Sequence, residues 1–230
     1  MKYFWYWQPA NNFPPPTVTR PAEFDGGDRL NIACTQTDLG ASEERKIVTA
    51  WCDHLPNLSE LKLLWFSSRV PQRLFEAACH VPNLEGLYIK WSGIDDLSHI
   101  RAANALRYFH LGQSARVTSI EALGDCHRLR SLGLELLSRI RDLRPLSKLI
   151  DLEALSLEGS MGTAWRVATL APLGSLVNLH YLSVANLRAD DQSLSGLYSL
   201  RQLRTFRHGN WWNAEELAEI RRRNADLAAA

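Results

Sequence analysis

The chain has 230 residues, 46% of them hydrophobic and 22% charged, with a formal net charge of +1. Ample apolar material excludes a mostly disordered chain, and near-neutrality argues against a protein built to neutralise nucleic-acid phosphates, so no nucleic-acid partner is expected. No apolar run approaches the roughly 18–20 residues of a bilayer-spanning helix, so no membrane partner is expected either.

Residues 1–28 read as an N-terminal aromatic and proline-rich segment. Tyr3-Phe4-Trp5-Tyr6-Trp7 places five aromatics in a row, and Pro14-Pro15-Pro16 follows. Five aromatics left in water would be a liability, so they are expected to pack on the repeats that come next. A long apolar secretory core and a small-residue cleavage site are both missing, which predicts a cytoplasmic protein. Cys34, Cys52, Cys79 and Cys126 are widely spaced without any Cys-x-x-Cys pair. They read as reduced thiols, and neither a metal nor a cofactor is expected.

Residues 29–55 predict an N-terminal cap. Arg29–Cys34 alternates like a strand, and Ser42–Trp51 reads as a helix with Ser42 as its N-cap and Glu43 and Glu44 in its first turn. Residues 56–212 carry a repeat, Leu-x-x-Leu-x-Leu. It occurs as Leu58-Ser-Glu-Leu61-Lys-Leu63, Leu84-Glu-Gly-Leu87-Tyr-Ile89 and Leu106-Arg-Tyr-Phe109-His-Leu111. It returns as Leu129-Arg-Ser-Leu132-Gly-Leu134, Leu152-Glu-Ala-Leu155-Ser-Leu157 and Leu179-His-Tyr-Leu182-Ser-Val184, with a degraded copy at Leu203-Arg-Thr-Phe206-Arg-His208. Seven copies recur every 22–27 residues, and the 37 leucines of the chain follow from them. Residues 213–230 predict a C-terminal capping helix: Asn213-Ala-Glu-Glu216 offers an N-cap with a Glu three positions on, and Leu217 and Ile220 turn inward.

On these repeats the chain resembles leucine-rich repeat proteins over about residues 30–212. The resemblance implies an α/β fold, a horseshoe solenoid with a parallel sheet on its concave face and helices and 3₁₀ turns on its convex face. The physics agrees: each copy supplies a strand whose leucines cannot be buried alone, and stacking makes one continuous core. The longer repeats are expected to return through α-helix, as at Gln72–His80, and the short ones near Ile94 and Ile140 through 3₁₀ turns. The position usually held by a laddered Asn is Phe66, Ser92, Ser114, Leu137, Ser160, Leu187 and Trp211, so the corner is expected to be irregular.

Function in a solenoid falls to the residues the core leaves free. Between the last two core positions stand Lys62, Tyr88, His110, Gly133, Ser156, Ser183 and Arg207; small residues in the middle predict a shallow depression walled by Tyr88, Tyr108 and His110 on one side and Tyr181 and Arg207 on the other. One position beyond the core lie Lys90, Glu135 and Glu158, the two carboxylates in adjacent repeats. Tyrosines anchor interfaces with few rotatable bonds, and a partner's Lys or Arg would complete a carboxylate pair. The partner-binding set is therefore Tyr88, Lys90, Tyr108, His110, Glu135, Glu158, Tyr181 and Arg207. The reading is a non-catalytic scaffold for a protein partner: an adaptor, inhibitor or immunity-type binder. The alternative is a receptor for a small ligand or glycan held by Tyr108, Tyr181 and Ser156. No phosphate loop, zinc-protease or nucleophile-elbow motif is present, so no enzyme is expected.

Overall fold

A computed structural model describes residues 14–160 and 162–228. The Tyr3–Trp7 aromatic run, and its expected packing on the first repeats, lies outside the described residues. One residue pattern builds each repeat. Leu143, Leu146, Leu149 and Leu152 follow at intervals of three, as do Leu170, Leu173, Leu176 and Leu179, and all eight are buried. A 3₁₀ helix has three residues per turn, so this spacing puts every such side chain on one face. The 3₁₀ turns Arg144–Lys148 and Ala171–Ser175 sit there, with Ser98–Ala102, Glu121–Asp125 and Ser195–Ser199 at the equivalent places. The period then changes to two, and a strand begins.

The strands are β1 (Thr17–Val18), β2 (Arg29–Ile32), β3 (Leu63–Phe66), β4 (Gly86–Ile89), β5 (Tyr108–Leu111), β6 (Ser131–Glu135), β7 (Ala154–Glu158), β8 (Trp165–Val167), β9 (Tyr181–Val184), β10 (Leu187–Ala189) and β11 (Thr205–His208). Nine form one parallel sheet in the order β1-β2-β3-β4-β5-β6-β7-β9-β11, while β8 and β10 pair separately. The core lies between this sheet and the convex turns.

Both ends are covered. Helix α1 (Ala41–His54) buries Ile47, Val48 and Trp51 and lies beside the convex helix Gln72–Cys79, and the Trp51 indole donates to the Thr19 carbonyl at 2.7 Å. Its N-cap is Gly40, not Ser42. The helix starts earlier because Glu44 is drawn back over the entry, accepting from the Thr37 amide and hydroxyl at 2.8 and 2.9 Å. Thr17–Val18 adds a strand outside β2 within the segment read from sequence as aromatic and proline-rich. At the far end, α3 (Ala214–Arg223) is capped by Asn213, whose side chain accepts from the Glu215 and Glu216 amides. Glu216 does not close a capping box; it accepts instead from Ser193 Oγ and the Leu194 amide, tying the cap to the preceding repeat.

Two further expectations need correction. Repeat length does not select an α-helical return: α2 (Gln72–Cys79) belongs to a repeat of ordinary length. The longest repeat spends its extra residues on the excursion through β8 and returns by a 3₁₀ turn. The first repeat is also displaced by three residues. The register pairs Leu64 with Leu87 and Phe66 with Ile89, so the unit is Leu61-Lys-Leu-Leu64-Trp-Phe66. Leu55, Leu58, Leu61 and Leu64 follow at intervals of three, and that series permits both readings. Phe66 is therefore a core position, and Arg69 takes the corner position assigned to it. Elsewhere in that corner Ser92 and Ser114 share a hydrogen bond of 2.7 Å across neighbouring repeats.

A polar ladder on the concave face

Alternation decides which side chains leave the core. With Leu64 and Phe66 inward, Trp65 faces the concave side, in register with Tyr88; Tyr88 in turn pairs with His110, and His110 with Gly133. Trp65, not Lys62, is the first repeat's member of this row, with Asn31 of β2 beside it. Ser156 and Ser183 continue it, and Arg207 pairs with Ser183 on the last strand.

The row is a connected structure. The Tyr88 ring stacks on His110, with centroids 4.7 Å apart and planes 19° apart. His110 leans over Gly133, where a Cβ would stand 2.5 Å from its Nδ1. Only glycine leaves room for the imidazole. His110 is 4% exposed, and burial holds the ring neutral by lowering its pKa to about 3. Its Nε2 stands 3.4 Å from Glu135 Oε1. With a neutral ring this is a weak polar contact near the limit of a hydrogen bond, not an ion pair.

Glu135 and Glu158 stand directly opposite each other on β6 and β7. They do not both turn out to water. Ser156 Oγ and Ser183 Oγ each donate to Glu158 Oε1 at 2.7 Å. Arg207 reaches it at 4.0 Å and also donates to the Tyr181 hydroxyl at 3.4 Å. Glu135 has no such donors in its column, and burial, aided by the neighbouring Glu158, pushes its carboxyl up to about 7. Two carboxylates in equivalent positions thus sit in unlike surroundings: serine hydroxyls reach Glu158, and Glu135 faces His110. Tyr88 is also pushed up, to about 12, first by burial and then by Glu135.

The predicted set is therefore distributed as follows. Tyr88, His110, Glu135, Glu158, Tyr181 and Arg207 belong to one run of contacts. Tyr108 lies half-buried in the adjoining row beside Ser131. Lys90 is exposed and sits over the Trp91 ring at 4.4 Å, while the Trp91 indole donates to Gln36 at 2.6 Å. Tyr181 is buried, 1% exposed, yet outside the main apolar core, and Trp65 shares that character at 2%. The small residues do not leave the depression empty: His110 covers Gly133, and the serines are committed to Glu158. Sequence reasoning missed Ser183 as a site residue and put Lys62 where Trp65 stands. The signal for Ser183 was present, since it is the residue one repeat beyond Ser156.

Among the described residues no group of three or more His, Cys, Asp or Glu is arranged to hold a metal ion, and no helix is long and apolar enough to cross a membrane. The four cysteines are free thiols, and burial raises Cys34 to about 12 and Cys126 to about 11.

A parallel sheet of this length, with one strand and one short return per 22–27 residues, defines a leucine-rich repeat solenoid. The resemblance read from the repeats holds in the fold. Internalin C2 of Listeria monocytogenes superposes with a TM-score of 0.51 at 23% identity, covering 69% of this chain and 64% of its own. Internalin F of the same organism gives 0.58 at 18%, covering 87% and 59%. A leucine-rich repeat protein of Leptospira interrogans gives 0.55 at 16%, covering 76% and 50%. The chain thus spans about six-tenths of the internalins it matches, and at these identities the likeness is one of fold. No family model matches the chain, and no curated protein matches it in sequence.

Proposed function

We propose that the chain is a non-catalytic binding protein that docks a basic protein partner on its concave face, as an adaptor, inhibitor or immunity-type binder. The observation that carries this reading is the fixed acidic pair. Glu158 is pinned by two serine hydroxyls, and Glu135 stands opposite it in register, near His110 and partly open to solvent. A pre-positioned pair gains from a partner's Lys or Arg without first ordering its own side chains. Tyr88 and Tyr108, half-buried on rigid strands, supply apolar contact area beside it, and Lys90 and Arg207 form the charged margin. The rival small-ligand reading needs an open depression, and the filled space around Gly133, Ser156 and Ser183 speaks against it.

The test compares the parent with Tyr108→Ala and with the Glu135→Lys/Glu158→Lys double variant as baits against lysate of the source organism. The reading expects one stoichiometric protein on the parent, a loss of order 2 kcal/mol in its affinity for Tyr108→Ala, and its absence from the double variant. Equal recovery on all three baits, or a tightly bound small molecule and no protein, would overturn it.

A further inference from the structure

The longest repeat leaves a second, oppositely charged site at the β8–β10 ladder. In that ladder Trp165, Val167, Leu187 and Ala189 are buried, and the residue between each pair points outward. The register sets Arg166 directly beside Arg188. Like charges placed opposite one another on neighbouring strands repel. Arg101, Arg116 and Arg144 each meet a carboxylate, on Asp125, Asp95 and Asp142. Arg166 and Arg188 have no ion pair and donate no hydrogen bond among the described residues.

These two guanidiniums border a cleft of about 210 Å³ whose remaining wall includes Trp211, Trp212 and Asp190. Asp190 does not neutralise them, since its carboxylate is taken by Arg141. Arg188 is steadied over the Trp211 ring at 5.0 Å, and Trp211 is itself fixed by donating to the Leu187 carbonyl at 3.1 Å. Trp212 is 6% exposed, and its buried indole N–H meets no acceptor among the described residues. The cleft therefore combines two guanidiniums without a carboxylate partner and indole surface, while the unsatisfied Trp212 N–H is itself buried. Its own acceptors are the Asp190 carboxylate, engaged by Arg141, and the Gln192 side chain.

We propose that this cleft binds a small oxyanion, a carboxylate or a phosphate, carried on a flat apolar group. A guanidinium matches either oxyanion with two parallel hydrogen bonds, and the anion removes the repulsion between Arg166 and Arg188. The apolar part of the ligand packs against the Trp211 and Trp212 rings, which supply area with little conformational cost. At this volume the site takes a single side chain, a chain terminus or a small acid. It stands independently of the acidic concave pair.

The experiment follows the indole N–H resonances of the ¹⁵N-labelled full chain, with Trp211 and Trp212 assigned through Trp211→Phe and Trp212→Phe. Phenyl phosphate, inorganic phosphate and phenylacetate are titrated, with phenylacetamide as the neutral control. The expected result is a saturable shift of the Trp212 resonance with at least one anion and none with the amide. Response to the phosphates alone assigns a phosphate-bearing ligand, and response to phenylacetate alone a carboxylate; response to both supports the site for either oxyanion. Arg166→Gln/Arg188→Gln is expected to weaken the binding at least tenfold without lowering Tm, because both side chains are exposed and repel each other. Arg188→Gln alone carries the same test at lower amplitude if the double variant misfolds. No saturable shift with any anion, equal response to the amide, or unaltered affinity in the arginine variants overturns the proposal.

Discussion

Replacing Glu135 by Gln should stabilise the protein at alkaline pH and leave it nearly unchanged near pH 4.5. Burial and the facing Glu158 raise the Glu135 carboxyl from 4.5 to about 7. Below 4.5 the folded and unfolded chains both hold the proton. Between 4.5 and 7 the unfolded chain has lost it while the folded chain keeps it, so the parent loses stability as pH rises through that window and is level above it. A displacement of this size corresponds to about 3 kcal/mol for a group sealed from water. The Glu135 side chain is 38% exposed, and solvent screening reduces the figure to about 1 kcal/mol. Glutamine resembles the protonated acid in shape and has nothing to ionise. Urea unfolding followed by tryptophan fluorescence at pH 4.5 and pH 8 should therefore give a variant-minus-parent difference rising from near zero to about 1 kcal/mol, with m unchanged. His110, whose lowered pKa weakens the fold on the acid side, is present in both proteins and cancels in the difference. A difference that is flat with pH, or a variant less stable at pH 8, would refute the assignment of the raised pKa to Glu135.

Two further changes probe the same framework. Gly133→Ala should cost about 1–3 kcal/mol, because its methyl displaces buried His110 and opens the Tyr88 stack; chemical denaturation gives the magnitude, and loss of ring-current shifts on the His110 protons reports the displacement. Asn213→Ala should cost about 1 kcal/mol by removing the acceptor for two free amides of α3, with hydrogen exchange quickening first in that helix.

The repeat made most of the fold legible, because leucines at intervals of three and then two encode a 3₁₀ turn followed by a strand. The same regularity caused the error in the first repeat. Leu55, Leu58, Leu61 and Leu64 continue the interval of three across the point where the strand begins, and only pairing with Gly86–Ile89 fixes where the period changes. The columns of the concave face could be read wherever the register was right, so Glu135 and Glu158 were placed opposite each other from sequence alone. Their unlike environments could not be read. They depend on Ser183, from a third strand, reaching Glu158, and on His110 folding over Gly133 toward Glu135. The arginine pair was hidden for a similar reason. Arg166 and Arg188 lie outside the repeat motif, and their adjacency exists only because β8 and β10 pair beyond the main sheet.

Binding at the concave face should release a proton near neutral pH. A partner's Lys or Arg seated between Glu135 and Glu158 gains full attraction only when both carboxyls are ionised. With Glu135 held at about 7, that carboxyl is mostly protonated at pH 6 and mostly ionised at pH 8. If the bound cation returns Glu135 to the ordinary carboxylate range, linkage makes the affinity rise by roughly tenfold between those two pH values. The protein captured by the parent bait is the ligand for this measurement, titrated calorimetrically at pH 6, 7 and 8 in two buffers of different ionisation enthalpy. The parent should show the affinity gain and a proton release that is largest on the acid side and fades by pH 8. Glu135→Gln should bind more weakly at pH 8 and lose that gain, and any titration belonging to the partner itself would appear equally with both proteins. A parent whose affinity follows the same pH curve as Glu135→Gln would place the contact elsewhere on the concave face, away from the pair.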